Sequence, residues 1–342
     1  MKIIICGIIN IGGSMDTTSL GFYVKPRLYV LENGNIINDG KQLFEKKSKN
    51  VDLYYMSDGF FVVKLNNNNI REEDCLDSIM MNKLDSSLIY TNYADVIYYL
   101  FVMIFNNKNL ESHLDIYDIV GDESIVVSMQ NGIWCKNSMK GDGDGSVSFN
   151  STCFMPLNAL SYVNKIYIEK NILEECLDDL CNIFDNILCN EQLLQTLLLY
   201  VNAMLNIKTG HFDIGIVLLW TSIEKIIDEL WEKMLDDSDY NNTLREQTKG
   251  SSEFTANIKI NELFLGKIIH LELVKKLNKA RKVRNKIIHG NYSLFLYQGD
   301  INGTFTNISE KCRTVNMAAS ELINYVYNLN LVTPFNINTQ IY

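Results

Sequence analysis

Two hydrophobic rhythms divide the chain. Up to about residue 165, short apolar runs alternate with polar, glycine-bearing pieces, the pattern of strands and loops. Strands are predicted at 3–9 (IIICGII), 22–32 (FYVKPRLYVLE), 51–56 (VDLYYM) and 60–65 (FFVVKL). Ser57-Asp58-Gly59 joins the last two as a hairpin turn. A helix is expected over 93–107, where ten consecutive residues, VIYYLFVMIF, are apolar or aromatic. After a strand at 125–129, the glycine-rich polar stretch 131–152 reads as an exposed loop or hairpin tip near the end of a first domain.

From about Ile166 the apolar positions recur at intervals of three and four, the period of amphipathic helices. Helices are predicted at 169–188, 190–207 and 214–235, the last capped by Asp213. A polar gap at 236–254 precedes a helix ending at His289, and a final helix covers 308–329. The expected fold is α+β: a mixed strand and helix domain at 1–165, followed by an all-α bundle at 166–342 with antiparallel neighbours.

Two of these helices each carry one residue at odds with their face. Val217, Trp220, Glu224, Ile227 and Trp231 follow a 3, 4, 3, 4 spacing and share one stripe, whose middle member is a carboxylate. In the helix ending at His289, Leu273, Leu277, Ala280, Ile287 and Ile288 cluster on one side. Arg284 projects within about 20° of Leu277, inside that apolar cluster. An isolated buried charge is costly, so the simplest expectation is that Glu224 and Arg284 meet as an ion pair in or beside a cleft.

Charge sharpens the picture. The chain has a net charge of −10, which argues against indiscriminate binding to polyanions, yet KARKVRNKIIHG at 279–290 concentrates five basic residues before a histidine. Lys275, Lys279, Lys282 and Lys286 recur at i, i+4, i+7 and i+11 as a ridge away from the apolar face, with Arg281 among them. Such a ridge is a solvated face or a track for phosphates. His289 lies at the helix end before Gly290, where it serves as a cap residue or as a proton-transfer group. The greasy run at 96–105 is too short to span a bilayer, and residues 3–9 read as a strand, not an export signal. The eight cysteines then read as reduced thiols of a cytoplasmic protein. GDGDGS at 141–146 lacks the glycine and terminal glutamate of a calcium loop, and no metal or cofactor motif is found.

RNKIIHG at 284–290 resembles the Arg-x4–6-His motif of the HEPN superfamily, with a polar Asn285 after the arginine. LLWTSIEKI at 218–226 is similar to the Trp-x-x-x-Glu segment of its Apea-like branch. The likeness covers roughly residues 166–330. It implies a helical bundle that forms a homodimer, with two motifs facing across a composite cleft, and a metal-independent RNA endonuclease of antiviral, abortive-infection or toxin–antitoxin systems. Carried onto this chain, Arg284 and His289 are the motif residues, Glu224 the acidic partner and Asn285 the orienting group.

The chemistry is self-consistent. Cleavage through the 2′-hydroxyl, giving a 2′,3′-cyclic phosphate, needs a group that exchanges protons near neutrality and a fixed cation at phosphorus. Imidazole, with a reference pKa of about 6.5, and guanidinium supply these. His289 is expected as general base or acid, Arg284 as transition-state stabiliser, and Arg281 with the four ridge lysines as RNA contacts. The first domain would sense a regulatory protein or phage trigger. A non-catalytic module that binds RNA, a nucleotide or a partner protein is the competing expectation. His113, His211 and His270 are given no catalytic role.

Overall fold

The computed structural model describes residues 19–23, 28–37, 41–57, 59–66, 81–108, 114, 125–130, 133–136, 166–237, 246, 248, 254–289 and 301–329. They form nine strands and seven helices in two compact units, 1–191 and 192–342. Strands and helices coexist as an α+β chain, strand-rich in the first part and helical in the second.

In the first unit, a six-stranded antiparallel sheet contains β1 (Ser19–Tyr23), β4 (Gln42–Lys47), β5 (Val51–Met56), β6 (Phe60–Leu65), β7 (Ile125–Gln130) and β8 (Ile133–Lys136). Their spatial order is β4-β5-β6-β1-β7-β8. The β5–β6 hairpin falls where the sequence places it, with Gly59 at φ 88°. All six residues of β5 are buried, so both of its faces are covered, which is why it reads as a continuous apolar run interrupted only by Asp52. A second, three-stranded sheet pairs β2 (Leu28–Glu32) antiparallel to β3 (Asn35–Ile37) and parallel to β9 (Ile166–Glu169).

Several expectations are corrected here. The single strand expected at 22–32 is two strands in different sheets, since β1 and β2 pair with different neighbours. β8 occupies part of the expected loop and pairs antiparallel with β7, from Gln130–Ile133 to Val127–Lys136. The helix expected at 93–107 belongs to a longer one, α1 (Met81–Lys108). Residues 3–9 and 141–146 lie outside the described residues.

The domain boundary expected at 165/166 falls instead after Glu191. α2 (Lys170–Leu188) looks in sequence like the first helix of the bundle, but its stripe of Leu173, Cys176, Leu177, Leu180, Cys181, Phe184 and Ile187 is buried within the first unit, against strands and α1. Its polar side is tied there as well. Asp185 accepts hydrogen bonds from Ser48 Oγ and the Asn50 amide, both at 3.0 Å, while Lys46 and Lys108 pair with Asp178 and Asp179 at 2.7 Å. Periodicity identifies a helix with a buried face; it does not say what buries it.

The second unit holds α3 (Glu191–Lys208), α4 (Phe212–Asp236), α5 (Ala256–Leu265), α6 (Leu271–Ile288) and α7 (Ile301–Tyr327). α3 ends at Gly210, φ 86°, where the Gly210 amide donates to the Ile207 carbonyl and the His211 amide to that of Asn206. α3 and α4 then approach so closely that a Cβ on Gly215 would stand 2.4 Å from an Ile207 carbon and 2.9 Å from the Ala203 carbonyl. Asp213 is not the cap of α4; the helix starts at Phe212, and Asp213 sits in its first turn, where its negative charge is stabilised by the helix dipole. α5 has no counterpart in the sequence reading. It is docked on α4 through Trp231, whose Nε1 donates to Glu262 at 2.6 Å while the Lys259 ammonium lies 4.7 Å from the ring. Tyr200 on α3 donates to Asn316 on α7 at 2.6 Å inside the core. These contacts place α6 between α4, α5 and α7.

Candidate functional site

α6 carries the motif residues, and both of its ends are held. At its start the His270 Nδ1 accepts a hydrogen bond from the Leu273 amide at 3.2 Å, so this imidazole is a cap that must be unprotonated at Nδ1. Tyr325 of α7 sets its ring edge against His270 and donates to the Ile268 carbonyl at 2.7 Å. At the other end His289 is the C-terminal cap residue, its amide donating to the Asn285 carbonyl at 3.0 Å. The side chain of His289 is exposed. Gly290 lies outside the described residues.

The apolar face is largely as the spacing suggests. Leu273, Leu277, Ala280 and Ile287 are buried, and Val274 joins them. Ile288 does not; it is 47% exposed, because it lies on the flank of the seam at the helix's last turn. Arg284 sits part-buried in this seam. Its Nη1 donates to Asn285 Oδ1 at 3.2 Å, while its Nε is buried with no hydrogen-bond partner among the described residues.

The expected ion pair is not formed. Glu224 is half-buried on α4, a helix in contact with α6, but no N···O approach within 4.0 Å joins it to Arg284. The reason is visible in the two stripes. Matching angular positions on two helices fix a direction for each side chain, not the axial level at which it meets its neighbour. Asn285 occupies the orienting position beside Arg284, and Glu224 does not.

The chain matches no family model, no curated protein and no solved structure. The properties of the site therefore come from its own residues.

Lys275, Lys279, Lys282 and Lys286 lie on the outer side of α6, and they differ in compensation. Lys275 pairs with Glu272 at 2.7 Å, and Lys276 with Glu321 of α7. Among the described residues, Lys279, Lys282 and Lys286 form no ion pair, and neither do Arg281 and Arg284. The first half of α6 is thus neutralised and the second half is not. Arg281 is part-buried with its Nε enclosed and unpartnered, and Asn278 Oδ1 is in the same condition.

Two residues of this region escaped the sequence reading. Asn278 stands three positions before Arg281, at the edge of the apolar stripe. Lys311, on α7, has its ammonium enclosed, and its pKa is pushed down by burial and then by the Lys286 charge. The signal was available: eleven residues before Leu322, Lys311 projects within about 20° of that buried side chain. Among the described residues, no group of three or more His, Cys, Asp or Glu could hold a metal, and no helix is long and apolar enough to cross a membrane.

Proposed function

We propose that the chain is a metal-independent RNA endonuclease of the HEPN type, acting in antiviral or toxin defence. The observation that carries this reading is Arg284: a permanently charged guanidinium set in an apolar seam, held by an amide and, among the described residues, lacking a carboxylate. A fixed cation in that setting is suited to a phosphate that gains charge at the transition state. The exposed His289 imidazole would move the proton of the 2′-hydroxyl or of the leaving oxygen. Asn285 orients Arg284, and Lys279, Lys282 and Lys286 hold the flanking phosphates. Glu224 takes no step in this scheme.

α6 is regular through Ile288, so the five residues from Arg284 to His289 separate them by about 140° around the helix. One copy therefore does not present both groups to one phosphate, and the active unit is a homodimer in which Arg284 of one copy and His289 of the other share a cleft. That same separation favours the competing reading, a module that binds RNA without cutting it. RNA incubated with the protein in EDTA decides between them. Cleavage with 2′,3′-cyclic phosphate ends, lost in Arg284→Ala and in His289→Ala with the fold retained by circular dichroism, is expected. Binding without products, or cleavage that needs divalent metal, overturns the assignment.

A further inference from the structure

We propose that Arg281 and Arg284 act together as a clamp for one phosphate group, with Asn278 and Asn285 completing its polar rim. This deepens the ribonuclease reading and rests on it for the identity of the ligand as an RNA phosphodiester.

Arg281 belongs by number to the basic run but by geometry to the site. It lies about 160° from Lys279 and about 140° from Lys286 around the helix, off the lysine ridge, yet only about 60° from Arg284. Residues three apart on a helix are surface neighbours, so the two arginines leave the helix from adjacent positions. Both are part-buried, both have an enclosed Nε without a partner, and neither meets a carboxylate among the described residues. Buried charges are ordinarily paired, and an enclosed polar atom without a partner is destabilising. Here three such atoms, Asn278 Oδ1, Arg281 Nε and Arg284 Nε, fall within seven residues of one helix. Fold stability alone does not account for that. The other N–H groups of these two part-exposed side chains offer neighbouring planar forks, which fit a tetrahedral phosphate better than a single carboxylate does, and such an anion supplies the counter-charge that the described residues do not. The Asn278 side-chain N–H groups, which are not among the enclosed atoms, would donate to a phosphate oxygen, and Asn285 Oδ1 would accept from a ribose hydroxyl or a base amino group. Burial is the main cause of the lowered Lys311 pKa, and the Lys286 charge adds to it, which places a second cation near this end of the α6–α7 pair.

The test measures binding of a fluorescein-labelled single-stranded RNA to the full chain in EDTA across a salt series, with His289→Ala as the background so that the probe stays intact. Competition by inorganic phosphate forms a second arm. Arg281→Ala is expected to weaken RNA binding by about 10- to 100-fold. The salt slope should fall by about 0.7 for each phosphate no longer neutralised. Arg281→Lys should restore the slope but not the affinity, because a point charge replaces a fork. Asn278→Ala should weaken binding with no change of slope, and Lys233→Ala on α4, a lysine paired with Glu229 and outside the basic ridge, should change neither. Wild-type affinity and slope in both Arg281→Ala and Asn278→Ala would overturn the clamp, whether or not the protein cuts RNA. RNA bound with these dependences while the protein with His289 intact leaves RNA uncut in EDTA, or inorganic phosphate bound in an Arg281-dependent way without RNA, supports the clamp and removes the ribonuclease reading. No binding of either probe overturns both.

Discussion

Replacing Arg284 by methionine should leave the protein about as stable as before, or more so, while abolishing the RNA cleavage proposed above. The side chain is part-buried, its Nε is enclosed without a partner, and its single hydrogen bond among the described residues is the 3.2 Å contact to Asn285. Methionine has nearly the same helix propensity, reaches about as far as the arginine Nε and carries no hydrogen-bonding N–H to satisfy, so the enclosed part of the seam stays filled. Removing an enclosed, unpaired polar group relieves about 1–3 kcal/mol, and losing one long hydrogen bond from a charged donor costs about 1.5 kcal/mol. The net expectation runs from about 0.5 kcal/mol less to about 1.5 kcal/mol more stable, the upper end being about 5 °C in Tm for a unit of this size. Urea titration followed by tryptophan fluorescence reads this directly, since Trp220 and Trp231 are both buried in the second unit. The midpoint should hold or rise at constant slope, while RNA cleavage disappears. A loss of about 2 kcal/mol or more would show that the guanidinium is a structural partner after all, and the argument for a phosphate at this position would fail with it.

Two further outcomes follow from the same unit. The α5–α6 turn puts Lys267 at φ 59°, where the Lys267 amide donates to Phe264 and that of Ile268 to Leu263, a helix-ending motif that ordinarily uses glycine. Lys267→Gly should therefore raise stability by about 0.5–1 kcal/mol in chemical denaturation, and a decrease would mean that the lysine makes a compensating contact. The Cys312 thiol is pushed up to about 12 by burial, and the Tyr327 hydroxyl is raised by burial and by its bond to Glu229. Both groups keep their protons in the fold at a pH where the unfolded chain releases them, so their contribution is complete below about pH 8.5 and is lost as pH rises towards 12. The urea midpoint should fall above about pH 9, by no more than about 1.4 kcal/mol per pH unit for each group. Cys312→Ala should flatten that slope, and an unchanged slope would refute the assignment.

How much of this was legible in the sequence depends on whether a property belongs to one element or to two. Helical period placed α3 and α4 within two residues and the end of α6 within one, and it put Lys275, Lys279, Lys282 and Lys286 on an outward ridge. It also marked Arg284 as the charged residue in an apolar seam. Everything that required a partner was out of reach. α2 carried the period of a bundle helix and was claimed by the strands of the first unit. The tyrosine- and valine-rich stretch around residues 22–32 carried the period of one strand and is divided between two sheets. Glu224 and Arg284 were each anomalous for the same reason, yet shared anomaly is not contact. Arg281 illustrates the converse: a linear charge run grouped it with its lysine neighbours, and only the angle around α6 separates it from them.

The distribution of compensation along α6 is the feature that a purely structural role explains least. Near its start, where positive charge opposes the dipole of the helix, Glu272 and Glu321 neutralise Lys275 and Lys276. Towards its end the dipole favours cations, and that modest stabilisation lets several stand without carboxylates. It does not extend to enclosing two guanidinium nitrogens and an amide oxygen without partners, which the dipole cannot offset. In a chain of net charge −10, carboxylates are plentiful, and one on α4 or α7 at the right level would have neutralised the pair. Glu224 stands on a neighbouring helix and does not reach it. Positive charge left uncompensated beside an abundance of groups able to neutralise it has the character of a binding site: its counter-charge is meant to arrive from outside the chain and to leave again.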